Sequence, residues 1–136
     1  MNVEKIRFEY FSEIFEIDAS DTVAVVPYEK VSVFDKQPSF ILGYFPYKTK
    51  IVPLVKANLF LNIKGIEIDE TAKPFSHFLV LQSSEHMFAI AATAMICREC
   101  EAKKILREDI EKFILKVSSN ILSFNDKISA NRSGDR

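Results

Sequence analysis

The chain has 136 residues, 18 Lys+Arg against 19 Asp+Glu, 48% hydrophobic residues and only three Gly. One domain of that apolar content buries roughly two-thirds of its extended surface, which excludes disorder over most of its length. A net charge of −1 with scattered basic residues supplies no field to draw in a phosphate backbone, so no nucleic acid is expected as a partner.

Residues 1–10 interleave charged and apolar side chains where a secretory leader would carry a basic patch and an apolar run, so the reading is mature, cytoplasmic structure. The longest apolar stretch, Met87 to Cys97, contains Thr93 and falls short of the ~20 residues of a spanning helix, so no membrane insertion is expected.

Ile6, Phe8 and Tyr10 alternate with Arg7 and Glu9, the period of a strand with one buried face. A second extended stretch over 14–18 follows, with Ser12-Glu13 as turn material that lacks the usual Gly. From Asp21 to Phe34 the density of β-branched residues predicts a strand, a break at Pro27 and another short extended piece. Residues 40–45 and 50–55 read as a hairpin through Pro46-Tyr47-Lys48-Thr49, with Pro53 expected at an edge or a bulge, where its missing N–H does no harm. The polar stretch 62–74 reads as a surface loop pinned by Ile63, Ile66 and Ile68.

Residues 78–81 and 87–96 are apolar without alternation, which predicts strands buried on both faces, joined by a turn over 82–85. The last third is two-valued. Leu106, Ile110, Phe113 and Val117 fall at helical spacing, whereas 112–117, 118–120 and 121–124 also read as strand, turn and strand. Residues 129–136, small, polar and charged, are expected to be a disordered tail. Many short strands with at most one or two helices make a mostly-β sandwich or barrel.

The run Phe15-Glu-Ile-Asp-Ala19, then Pro38-Ser-Phe-Ile-Leu-Gly43, then Ile51-Val-Pro-Leu-Val55 resembles the CheW-like domain of bacterial chemotaxis coupling proteins. Its second strand pair is matched by Phe78-Leu-Val-Leu81 and Met87-Phe-Ala-Ile90. Where that family has an Asn and an Arg-Gly pair this chain has Pro46, Lys48 and Thr49, and where it has Val-Asp-x-Val this chain has Ala92-Thr93-Ala94-Met95. Lys48 keeps the charge of an arginine without its planar fork of five donors.

The resemblance implies a single CheW-like domain over 1–128. It would be built as two intertwined small SH3-like five-stranded β-barrels with short helical segments, with a hairpin over 113–124. The function implied is a non-enzymatic adaptor, without cofactor, that couples chemoreceptor cytoplasmic helices to the regulatory domain of a CheA-type histidine kinase. The positions that face the family's partners are Thr22, Ala24, Lys48, His77 and Met95.

Two other readings follow from the residues. A CheW-fold interaction module outside chemotaxis accounts for the departures at the partner-facing motifs. Cys97-Arg-Glu-Cys100, with His77 and His86, offers soft-metal or thiol chemistry, although one Cys-x-x-Cys is half of a zinc signature and follows an apolar run instead of opening a helix. Three glycines support neither a phosphate-cradling loop nor a nucleophile elbow, so no enzyme activity is expected.

Overall fold

The structure is a computed structural model that describes residues 4–61, 75–83 and 86–116. The expected loop over 62–74, the domain boundary at 128 and the tail over 129–136 lie outside the described residues.

The N-terminal alternation forms the hairpin β1 (Lys5–Tyr10) and β2 (Glu13–Asp18), paired from Lys5↔Asp18 to Tyr10↔Glu13. Phe8, Tyr10, Phe15 and Ile17 fill its inner face, with the Phe8 and Phe15 rings stacked across the ladder at 5.6 Å. Opposite charges pair on the outer face: Arg7 Nε donates to Glu16 Oε1 at 2.9 Å, and Lys5 bonds Asp18, which raises the Lys5 pKa.

The turn is Phe11-Ser12, one residue earlier than expected, and both residues have positive φ (49° and 74°). That is the signature of a tight primed turn, ordinarily made with Asn or Gly. Here packing carries the cost: the Phe11 ring meets Tyr10 edge-on at 4.6 Å and Phe75 at 5.7 Å, and its N–H donates to Thr93 Oγ1 at 3.3 Å.

After a single 3-10 turn (Ala19–Asp21), β3 (Thr22–Pro27) ends at its proline, as expected. The hairpin β4 (Ile41–Tyr47) and β5 (Lys50–Val55) turns at Lys48-Thr49, with Lys48 at φ 55°. Then come a four-residue helix α1 (Ala57–Phe60), β6 (His77–Ser83), β7 (His86–Ala92), β8 (Ala94–Ile96) and β9 (Lys103–Ile105). Gln82 and Ser83 belong to β6, whose ladder closes on Ser83↔His86, so the strands run further into the expected turn than sequence indicated.

The strands make two mixed sheets, ordered β8-β1-β2-β9 and β3-β6-β7-β5-β4. The fold is mostly β, but among the described residues neither sheet is closed by a ladder between its end strands. The described strands thus form one sheet of four and one of five, the mostly-β arrangement expected. The intertwining is real: the N-terminal hairpin completes its sheet with strands from 94–105, after the chain has built the other sheet.

Thr93 is the point of crossing. Its N–H and its Oγ1 both donate to Glu9 O, at 2.8 and 2.9 Å, while Oγ1 accepts from Phe11. Thr93→Ala is expected to cost about 1–2 kcal/mol, because Phe11 N–H loses its acceptor and Glu9 O one of its donors. Thermal unfolding of the variant checks this, with Thr93→Ser expected to retain most of the stability.

Pro53 lies in an interior strand, not at an edge. Its partner Tyr44 spends both backbone groups on Ser32 (N→O 2.8 Å each way), so Tyr44↔Pro53 is a non-hydrogen-bonded pair and the side of Pro53 that lacks an N–H faces β7, which β5 meets at the bridge Leu54↔Ala89. The bulge falls at Leu42, where the register shifts between Ile41 and Gly43.

β6 and β7 are buried on both faces, as their lack of alternation predicts. Leu79, Leu81, Phe88, Ile90 and Ala92 face the cluster between the sheets, which also holds Phe8, Tyr10, Phe15 and Ile17. Phe78, Val80, Ala89 and Ala91 face a second cluster with Phe45, Val52 and Leu54. Ala24 and Val26 of β3 and Leu42 and Tyr47 of β4 also pack on that second cluster, so the five-stranded sheet curls its two edges toward one small core.

Residues 107–116 are helical (α2), which overturns the hairpin implied for 113–124; the part beyond 116 lies outside the described residues. Phe113 and Ile114 are adjacent and both buried, at 9% and 4% exposure, while Leu115 is 79% exposed. A strand with one buried face cannot bury two neighbours, whereas a helix buries i, i+3 and i+4, here Ile110, Phe113 and Ile114. Asp109 Oδ2 accepts the Leu106 N–H at 2.8 Å, half of a capping box that starts the helix. The rings of Phe60 (α1), Phe88 (β7) and Phe113 (α2) then meet pairwise at 5.2–5.4 Å.

Candidate functional site

Three of the five positions expected to face a partner share one ladder. Thr22 and Ala24 lie on β3, which is an end strand of its sheet, opposite Leu81 and Val80 of β6, and His77 begins β6 opposite Pro27. Thr22 Oγ1 donates to Asp18 O at 3.4 Å, and His77 Nδ1 lies 2.9 Å from Ser76 Oγ. Ala24 is half-buried against the second cluster, a packing role.

Lys48 and Met95 stand apart from these three. Lys48 is exposed at the tip of the β4–β5 hairpin, at the other end of the five-stranded sheet with three strands between it and β3. Its Nζ sits 5.5 Å from the Tyr47 ring centroid. Met95 lies on β8 in the four-stranded sheet, opposite Phe8, and packs against the cluster between the sheets.

The metal candidates are also separated. Cys97 and Cys100 are free thiols, the first exposed. His77 and His86 occupy opposite ends of the β6–β7 ladder, six positions or about 20 Å apart along the strand. Among the described residues no three His, Cys, Asp or Glu side chains stand together as a metal site would require.

A surface that the motifs did not indicate is formed by the last third of the chain. A cleft of about 510 Å³ is floored by Phe15, Phe60, Ile105 and Phe113, with Leu59 at its lip, and rimmed by Lys103, Lys104, Lys112, Lys116 and Asp109. Lys103 donates to Glu13 Oε1 at 2.9 Å and lies 6.0 Å from the Phe15 ring centroid. The i, i+4 spacing of Lys112 and Lys116 is a sequence signal for this rim once 107–116 is known to be a helix. The floor has no such signal, because it gathers residues from positions 15, 60, 105 and 113.

The start of α2 is tied to the rest of the molecule by charge. Arg107 Nε donates to Asp21 Oδ1 at 2.7 Å, with the Asp21 side chain only 7% exposed, and this hydrogen bond raises the Arg107 pKa. Burial raises the Tyr44 phenol above its ordinary value. Among the described residues no helix is long and apolar enough to cross a membrane.

Neither a protein-family model nor a curated protein matches the chain in sequence. In structure, the chain is similar to the scaffolding protein TtCheW from Thermoanaerobacter tengcongensis. The TM-score is 0.56 and the identity 17%, over 76% of this chain and 67% of that one. The fold is therefore CheW-like, in a divergent form.

Proposed function

We propose that the chain is a non-enzymatic cytoplasmic scaffold that couples chemoreceptor helices to the regulatory domain of a CheA-type histidine kinase by protein–protein contacts. The observation that carries this reading is the likeness in fold to a scaffolding protein over 76% of the chain. The work of such a protein is geometric: two rigid sheets present separate surfaces, and the partners are held at a fixed separation.

Affinity purification of the tagged protein from its own cells, with mass spectrometry and metal analysis of the same sample, tests this. Chemoreceptor and kinase are expected together. Their absence overturns the reading, and zinc recovered in their place transfers the function to Cys97 and Cys100.

Lys48→Glu is expected to weaken receptor association about tenfold while leaving the melting temperature unchanged, because the side chain is exposed and only its charge is reversed. Pull-down of a receptor cytoplasmic fragment by the folded variant is the measurement. Undiminished recovery removes Lys48 from the contact.

A further inference from the structure

We infer that the cleft between α1, β9 and α2 docks an acidic amphipathic segment of a partner protein, with apolar side chains on the cleft floor and carboxylates on its lysine rim. The inference goes beyond the coupling role and holds whichever complex the chain joins.

The open apolar surface comes from α1 and the residue after it. Phe15, Ile105 and Phe113 back the cleft from the core and are themselves buried, whereas Phe60 and Leu61 are half-buried and Leu59, at the lip, is 52% exposed. Apolar side chains left open inside a polar rim are the usual form of a protein-docking site.

The rim supplies the sign of the partner. Four lysines and Asp109 line the cleft and Glu13 neutralises Lys103, which leaves two positive charges in excess in a chain whose net charge is −1. Lys103 is already paired with Glu13, and one carboxylate oxygen of Asp109 is engaged by the Leu106 N–H. Among the described residues Lys104, Lys112 and Lys116 form no ion pair. Lys112 and Lys116 are also a like-charge i, i+4 pair, which by itself disfavours the helix that carries it. Carboxylates arriving between them relieve that repulsion, and the apolar floor lowers the screening of each new ion pair.

Phosphate-rich partners are the poorer match. The rim is made of single-point lysine charges around an aromatic and aliphatic floor, with no arginine fork among its described lining residues. Apolar side chains interleaved with Asp or Glu satisfy both halves of the site.

The test uses the whole chain and three fluorescein-labelled helical peptides of roughly 18 residues with one common leucine face. Their polar faces are all Glu, all Gln or all Lys, and binding is read by fluorescence anisotropy. The Glu-faced peptide is expected to bind about tenfold more tightly than the Gln-faced one, from three exposed ion pairs, and the Lys-faced peptide not at all. The preference should shrink as salt is raised from about 50 mM to about 500 mM.

Lys112→Glu/Lys116→Glu, both on the exposed side of α2, should reverse the order of the peptides. Leu59→Ser should weaken the Glu-faced and Gln-faced peptides alike. Equal binding of the three peptides, or an order unchanged by the charge reversal, overturns the inference. So does lysine-dependent sedimentation with phosphatidylglycerol vesicles that displaces the Glu-faced peptide, which would make the face a lipid-contacting one.

Discussion

Phe88→Ala is expected to lower the stability of the chain by about 3–5 kcal/mol, the range for removing a buried aromatic ring and leaving its cavity. Phe88 is fully buried in the cluster between the sheets, and its ring meets both Phe60 and Phe113, at 5.4 and 5.2 Å. It is therefore the point at which β7 holds both helices. For a domain of this size the melting temperature should fall by about 10–20 °C. Against a typical total stability of about 5–15 kcal/mol, that loss takes about a fifth or more.

The same substitution should release α2 before it unfolds the sheets. Amide exchange in 107–116 is expected to accelerate more than exchange in β6, because among the described residues the helix reaches the core through Ile110, Phe113 and Ile114, while β6 has ladders on both sides. A fall in melting temperature of less than about 4 °C would show that the three-ring contact is not what seats the helix.

Gly43→Ala is the second large effect, at about 1–3 kcal/mol. A Cβ built at Gly43 would stand 2.5 Å from Val31 Cγ2, 2.8 Å from Val31 Cβ and 2.9 Å from Ser32 O. The first two contacts can be relieved by the Val31 side chain, but the third is backbone. That backbone is the strap bonded to Tyr44 in both directions at 2.8 Å, which covers the outer edge of β4. The alanine must therefore lift the strap and expose the edge.

A double-mutant cycle with Val31→Ala measures how the clash is divided. Val31→Ala alone should be destabilising, since Val31 packs on the second cluster, yet in the Gly43→Ala background it should recover part of the loss. Additive effects of the two substitutions would mean that the strap does not rest on Gly43.

Gly43 also shows why the family resemblance was legible. The stretch Pro38-Ser-Phe-Ile-Leu-Gly43 is informative because the glycine answers a steric demand set by another segment, and such a demand leaves one residue type in place. The chain matches no family model, and the likeness emerges in the fold, at 17% identity. Alternating and doubly apolar strand patterns survive any exchange among Val, Ile, Leu and Phe, so they preserve a fold without preserving a recognisable sequence.

The positions expected to face partners are a different matter. Alignment places Thr22, Ala24, Lys48, His77 and Met95 on a pattern, but it says nothing of which side chains are occupied in packing. Ala24 and Met95 turn out to rest against the two clusters, and Lys48 lies across the sheet from the β3–β6 ladder. The lysine-rimmed cleft was invisible for the opposite reason. Its floor has no local motif, and its rim becomes a row only when 107–116 is helical.

What the sequence determined by itself is what short-range physics controls. The period of two in 6–10 set a one-faced strand and the extended run over 14–18 its neighbour, the apolar runs in 78–81 and 87–96 set strands that are buried on both faces up to Ala92, and Pro27 set an end. The tertiary structure decided everything whose energy lies between distant segments. The tight turn at Phe11-Ser12 exists without glycine because Phe75 and Thr93 hold it, and Pro53 sits inside a sheet with its missing N–H toward β7, which β5 meets at the bridge Leu54↔Ala89. Residues 107–116 are a helix because Phe60 and Phe88 offer a surface that buries Phe113 and Ile114 together. Local propensities differ by a few tenths of a kcal/mol per residue, while burying a single aromatic side chain is worth about 1.5–3 kcal/mol, so where the two disagree burial prevails.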